Sequence, residues 1–179
     1  MGRDKSLLVF NGATIISHVA RVMTSVFRDV VIVDDHSEKY RFLDLDVIPD
    51  LYKEAGPLGG IHAALAYSNT EAVFISPCDT PLLTQPLIEH ILEHSPNLNT
   101  SIPLHDGILQ PLCGLYSKLL LPLLQKNLEA RRFKVTRFLH EIEFSTVEIT
   151  PELPFYSPSL FNNVNRPVDF KLLQRLPYL

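Results

Sequence analysis

The chain has 179 residues, of which 46% are hydrophobic and 20% charged, and a formal net charge of −4. That is the balance of one folded domain over residues 1–179, large enough for a substantial core and unlike a disordered chain. The net negative charge argues against a broad grip on nucleic acid, the apolar runs are too short to span a bilayer, and no signal-peptide pattern is visible. The expected setting is therefore cytoplasmic. Cys78 and Cys113 lack metal-ligand spacing and read as buried, reduced cysteines.

A polar start, Met1 to Ser6, leads into Leu7 to Phe10 and then Asn11-Gly12, a tight-turn pair. From Ala13 to Phe27, Ile15, Ile16, Val19, Val22, Met23 and Val26 recur at helical spacing. Val30 to Val33 reads as a buried strand ending in Asp34-Asp35-His36. Paired acids there could contact a ribose or cap the next helix, and the cap is favoured. Ser37 to Leu43 reads as a short helix, and Val47-Ile48 as a strand stopped by Pro49-Asp50.

Gly56-Pro57 then breaks the chain, and Leu58, Ile61 and Leu65 share one helical face. Gly59 and Gly60 weaken a helix, so they point to close backbone approach or a ligand beside the helix start, with packing as the other reading. The apolar run Ala72 to Ile75 reads as a strand buried on both faces. It stops in Ser76-Pro-Cys-Asp-Thr-Pro81, and Pro86 opens the next helix. Asp79 thus falls where a strand hands over to a helix, the edge at which open α/β sheets bind ligands. It could hold a hard divalent cation, or it could merely cap the helix or close the turn.

Thr100 to His105 and Leu109 to Tyr116 read as an antiparallel pair joined by Asp106-Gly107. Leu119 to Ala130 is a leucine-rich helix with Pro122 in its first turn. Arg131-Arg-Phe-Lys134 is a tight basic cluster that could receive an anion; a solvated helix end is favoured. Val135 to Ile142 reads as a helix, Phe144 to Ile149 as a strand, and Thr150 to Ser159 as a proline-rich loop. Phe170 to Leu176 reads as a last helix. The alternation predicts an α/β, Rossmann-like, mainly parallel doubly wound sheet with a small antiparallel extension near residues 100–117. It also places Val30 to Val33 and Ala72 to Ile75 in one sheet.

Four segments belong together: Met1-Gly-Arg-Asp-Lys5, Asp50 with Gly56-Pro-Leu-Gly-Gly60, Cys78-Asp-Thr-Pro81, and Asn163-Val-Asn165-Arg-Pro-Val-Asp169. In this order they resemble the molybdenum cofactor guanylyltransferase family, within the nucleotidyltransferases of the sugar-nucleotide-synthesising type. The resemblance covers nearly the whole chain. It implies transfer of GMP from GTP to molybdopterin with Mg2+, and a product passed to molybdoenzymes or their chaperones. It implies that Lys5 steadies the GTP phosphates, that Asp50 serves the guanine site, and that Asp79 holds magnesium. Pro57, Leu58, Gly59 and Gly60 match the loop beside the nucleotide, and Asn163 and Asn165 match a motif near the reacting phosphates. Asp34 or Asp35 falls near a further nucleotide contact.

The family also opens with a central strand and a glycine-rich phosphate loop ahead of the Met-Gly-x-Asp-Lys stretch. The expectation is that these precede Met1 in the natural chain; the competing reading is a degenerate, inactive member. Two further alternatives are a relative using CTP or another phosphorylated substrate, and a non-catalytic molybdopterin carrier of the same fold.

Overall fold

The computed structural model describes residues 5–163. A 3-10 turn, Lys5–Leu7, precedes a two-residue hairpin, β1 (Val9–Phe10) and β2 (Ala13–Thr14). Asn11 and Gly12 turn it with φ of 48° and 79°, the left-handed pair that matches strand twist. Helix α1 (Ile15–Val26) starts at Thr14, whose hydroxyl accepts from Ser17 N–H. Strands β3 (Val31–Val33) and β4 (Asp46–Ile48) follow, separated by a 3-10 helix over Ser37–Leu43.

Helix α2 (Pro57–Tyr67), strand β5 (Ala72–Ile75) and helix α3 (Gln85–Glu93) come next. Strands β6 (Ser101–His105), β7 (Ile108–Leu109) and β8 (Gly114–Ser117) precede helices α4 (Leu121–Glu129) and α5 (Val135–Leu139). Strand β9 (Ser145–Ile149) closes the described elements. The expected helix over Phe170 to Leu176 lies outside the described residues.

Two layers of helix cover the main sheet, and side-chain alternation decides which residue meets which layer. On β5, Phe74 packs with Val19, Leu87, Ile88 and Ile91 of α1 and α3, while Val73 and Ile75 face the core of α2, α4 and α5. On β8, Leu115 joins the first core and Tyr116 the second. Residues one apart on a strand point to opposite faces, so both faces must be apolar. This is the doubly wound α/β arrangement that the alternating elements predict.

The pairing departs from expectation in two places. First, β3 pairs in parallel with β4, while β5 belongs to a separate five-stranded sheet. Val30–Val33 and Ala72–Ile75 therefore do not share a sheet among the described residues. Helix α2 packs against β3, β4 and β5, so both sheets share one helical cover without a shared ladder. A crossover helix sets the direction of the next strand but does not oblige it to land beside the strand it left. The three residues of β3 are only partly buried as a result.

Second, the strand expected over Leu109 to Tyr116 is two strands. Pro111 has no N–H to donate, and the chain turns there, with Cys113 N–H donating to Gln110 carbonyl oxygen at 3.0 Å. Among the described residues strand β7 pairs only with β6, and β8 lies antiparallel between β5 and β6. The antiparallel extension is thus real, with β9 adding a parallel pair on the other edge of β6.

The contact of β8 with β6 depends on Gly114. A Cβ there would stand 2.6 Å from the Ser101 carbonyl oxygen and 3.2 Å from Ile102 Cδ1. The carbonyl is backbone and cannot swing aside. Gly114→Ala should therefore destabilise the fold by about 1–3 kcal/mol, the usual cost of overpacking a close-packed core. A thermal melt reads it; an unchanged Tm would mean that β6 and β8 separate without cost.

Candidate active site

Strand β4 ends at Ile48, and Asp50 lies just past it. Helix α2 then starts at Gly56, which has φ 62° and ψ −152°, a conformation that glycine alone adopts without strain. Pro57 follows as the first helical residue, and Leu58 is fully buried. Both carboxylate oxygens of Asp50 lie against Gly59, 2.7 and 2.9 Å from where a Cβ would stand. Gly59 therefore answers to close approach. Gly60 has open space at the same point and carries no such demand.

Asp50 Oδ1 accepts from Tyr52 N–H at 3.0 Å, and Asp50 N–H donates to Asp35 Oδ1 at 3.3 Å. Lys53 Nζ donates to the same Asp35 oxygen, and this bond holds the Asp35 carboxyl below its ordinary value. Asp34 behaves differently. Its Oδ1 accepts His36 N–H at 2.7 Å and its Oδ2 accepts the Tyr40 hydroxyl at 3.0 Å, so it closes the turn. The adjacent acids have separate tasks, and Asp35 is the one joined to Asp50.

The second limb follows β5. Thr84, not Asp79, caps α3, accepting Leu87 N–H at 3.4 Å. The helix-cap reading of Asp79 is thereby removed. Asp79 is partly buried, and burial pushes its carboxyl above the ordinary value, against a bond from its own backbone N–H and the nearby Lys5 charge. Its neighbour Thr80 is 1% exposed and donates its hydroxyl proton to Asn163 Oδ1 at 2.8 Å. That bond joins positions 83 residues apart. The Lys5 charge thus acts on Asp79, and Asn163 is bonded to the next residue along the turn, Thr80, whereas Asn165 lies outside the described residues.

Sequence reasoning missed three contributors. Thr80 gave no signal beyond its place next to Asp79. Tyr52 acts through its backbone N–H, which every non-proline residue has. His62, on α2, is 5% exposed and stands edge-on to the Tyr52 ring. Of the basic cluster at residues 131–134, Arg132 approaches Glu141 at 3.8 Å, as does Arg137 on α5. Among the described residues no group of three or more His, Cys, Asp or Glu is arranged to hold a metal.

Residues 1–144 match the family model of the MobA-like NTP transferase domain. The chain belongs to that family. It is a nucleotidyltransferase by family, and its relatives are named for molybdenum cofactor maturation. A probable molybdenum cofactor guanylyltransferase from Pelotomaculum thermopropionicum is 34% identical, over 94% of this chain and 83% of its own. A solved structure from Aquifex aeolicus superposes with a TM-score of 0.76 at 29% identity, covering 85% of this chain and 79% of its own. The fold is also that of molybdopterin-guanine dinucleotide biosynthesis protein A from Archaeoglobus fulgidus, with a TM-score of 0.78 at 23% identity, covering 97% and 90%. None of the helices among the described residues is long and apolar enough to cross a membrane.

The expectation for the two thiols divides here. Cys113 is buried as expected, and burial pushes its thiol up to about 12, whereas Cys78, beside Asp79, is exposed. An aromatic disulfide reagent should label one thiol in the native protein and the second only after denaturation, because the thiolate is the reactive form. Rapid native labelling of both would contradict the buried environment of Cys113.

Proposed function

We propose that this chain is a single-domain guanylyltransferase that moves GMP from GTP to molybdopterin. A molybdopterin phosphate oxygen attacks the α-phosphorus of GTP. The new P–O bond forms as the bond to the β-phosphate bridging oxygen breaks, and pyrophosphate leaves with that electron pair. Both reactants are anions, so the protein's task is to hold them in line and screen their repulsion. The convergence of Lys5, Asp79 and Asn163 around the turn after β5 is the observation that carries this reading.

Lys5 steadies the triphosphate, Asn163 and Asn165 orient the reacting phosphates, and Asp50 accepts from the guanine edge beside the Pro57–Gly60 turn. Asp79 is the residue that would hold Mg2+. The fit rests on its chemistry: a partly buried carboxylate whose charge is resisted by burial and only partly met by Lys5. Magnesium, when bound, neutralises phosphate charge. The product would pass to molybdoenzymes or their chaperones.

Asp79→Asn keeps the shape and removes the charge. Turnover at limiting magnesium should fall about 100-fold or more, on the scale of tenfold per ~1.4 kcal/mol. Stability should move the other way. The folded-state pKa of Asp79 is raised, so its ionisation opposes folding; that penalty is absent below the unfolded pKa and complete above the folded one. At neutral pH the variant's Tm should equal or exceed that of the parent, and the advantage should vanish in acid. Near-parental turnover at limiting magnesium would reject the metal role.

Base choice has a separate test. Calorimetric titration with GTP and CTP should show tighter binding of GTP, and Asp50→Asn should narrow the difference. Tighter binding of CTP by the unaltered protein would replace guanylyl with cytidylyl transfer.

A further inference from the structure

A buried histidine stands on α2, one turn beyond Gly59 and against the Tyr52 ring. His62 lies three residues after Gly59, on the same helical face. It is 5% exposed, and its Nδ1 is buried with no hydrogen-bond partner among the described residues. Its ring meets the Tyr52 ring edge-on, with centroids 5.0 Å apart and planes at 87°. Tyr52 N–H is the donor that holds Asp50 Oδ1. The face of α2 thus offers two seats: the gap at Gly59 receives the carboxylate, and the imidazole ring receives Tyr52.

We propose that His62 is a positioning residue that fixes the Asp50–Tyr52 turn against α2, so that Asp50 Oδ2 faces the nucleotide base. The proposal rests on the guanine-site reading of Asp50. Two features favour it. Oδ1 is occupied by Tyr52 N–H, and Oδ2 has no hydrogen-bond donor among the described residues. Burial lowers the His62 pKa even against the nearby Asp50 charge, which keeps the ring neutral and stops it competing with a base for the carboxylate.

The test begins without nucleotide. Hydrogen exchange at the Tyr52 amide should accelerate about tenfold in His62→Ala, while the amides of α3 keep their protection, because local opening is separable from global unfolding. Calorimetry should then show GTP bound about tenfold more weakly by the same variant, or ~1.4 kcal/mol. His62→Phe retains a ring edge for Tyr52 and should restore most of both quantities. An unchanged Tyr52 amide, or acceleration equal at Tyr52 and α3, overturns the proposal. A loosened Tyr52 amide with GTP affinity intact also overturns it, provided that Asp50→Asn does weaken GTP. If Asp50→Asn leaves GTP affinity intact as well, the seat stands and the guanine-site reading of Asp50 falls instead.

Discussion

Burial of α2 is the constraint on which the rest of the structure depends. Leu58, Gly59, Ile61, His62, Ala63, Ala64 and Leu65 are all buried, so the helix is enclosed on most of its circumference. It packs on β3, β4 and β5 and also on α4, and so ties the parallel pair to the five-stranded sheet. A helix apolar around most of its surface is stable only inside a core. Small residues let neighbouring backbone come close, and at Gly59 the neighbour is a carboxylate rather than another apolar group.

The two limbs of the site use their carboxylates differently. Asp50 is held by backbone N–H groups and a glycine gap, an arrangement that fixes direction. Asp79 is set in a desolvating turn where, among the described residues, Lys5 brings opposite charge and burial still raises the cost of ionisation. A fixed acceptor suits recognition of a base edge. A charge held at a cost suits capture of a cation, because binding relieves the cost. Strand ends present both limbs while the strands themselves stay in the core, so chemistry and packing do not compete for the same side chains.

Asn163 is joined to the strand-end turn by a polar bond across 83 residues. Thr80 is almost wholly buried, and Asn163 gives its hydroxyl the acceptor it needs. Loss of that bond would leave a buried hydroxyl unsatisfied as well as releasing the residue after Asp79. Asn163 is therefore coupled to the early strand-end turn through the stability of the fold.

Much of this was legible in the sequence because it is written in local chemistry. Helical spacing marked α1, Pro86 marked the start of α3, Asn11-Gly12 and Asp106-Gly107 marked turns, and the apolar run at Ala72 marked a strand with two buried faces. Gly59 and Gly60 together suggested a close approach, and the structure shows it at Gly59 but not at Gly60. What stayed illegible depends on which groups meet across distance. Periodicity does not name a strand's neighbour, so the separation of β3 from β5 and the place of β8 between β5 and β6 came only from the tertiary structure. Composition could not tell Asp34 from Asp35, since the difference lies in whether Tyr40 or Lys53 arrives beside the carboxylate. Nor could it find Thr80 or His62, whose roles arise when folding removes water and leaves a hydroxyl and an imidazole to find their partners within the protein.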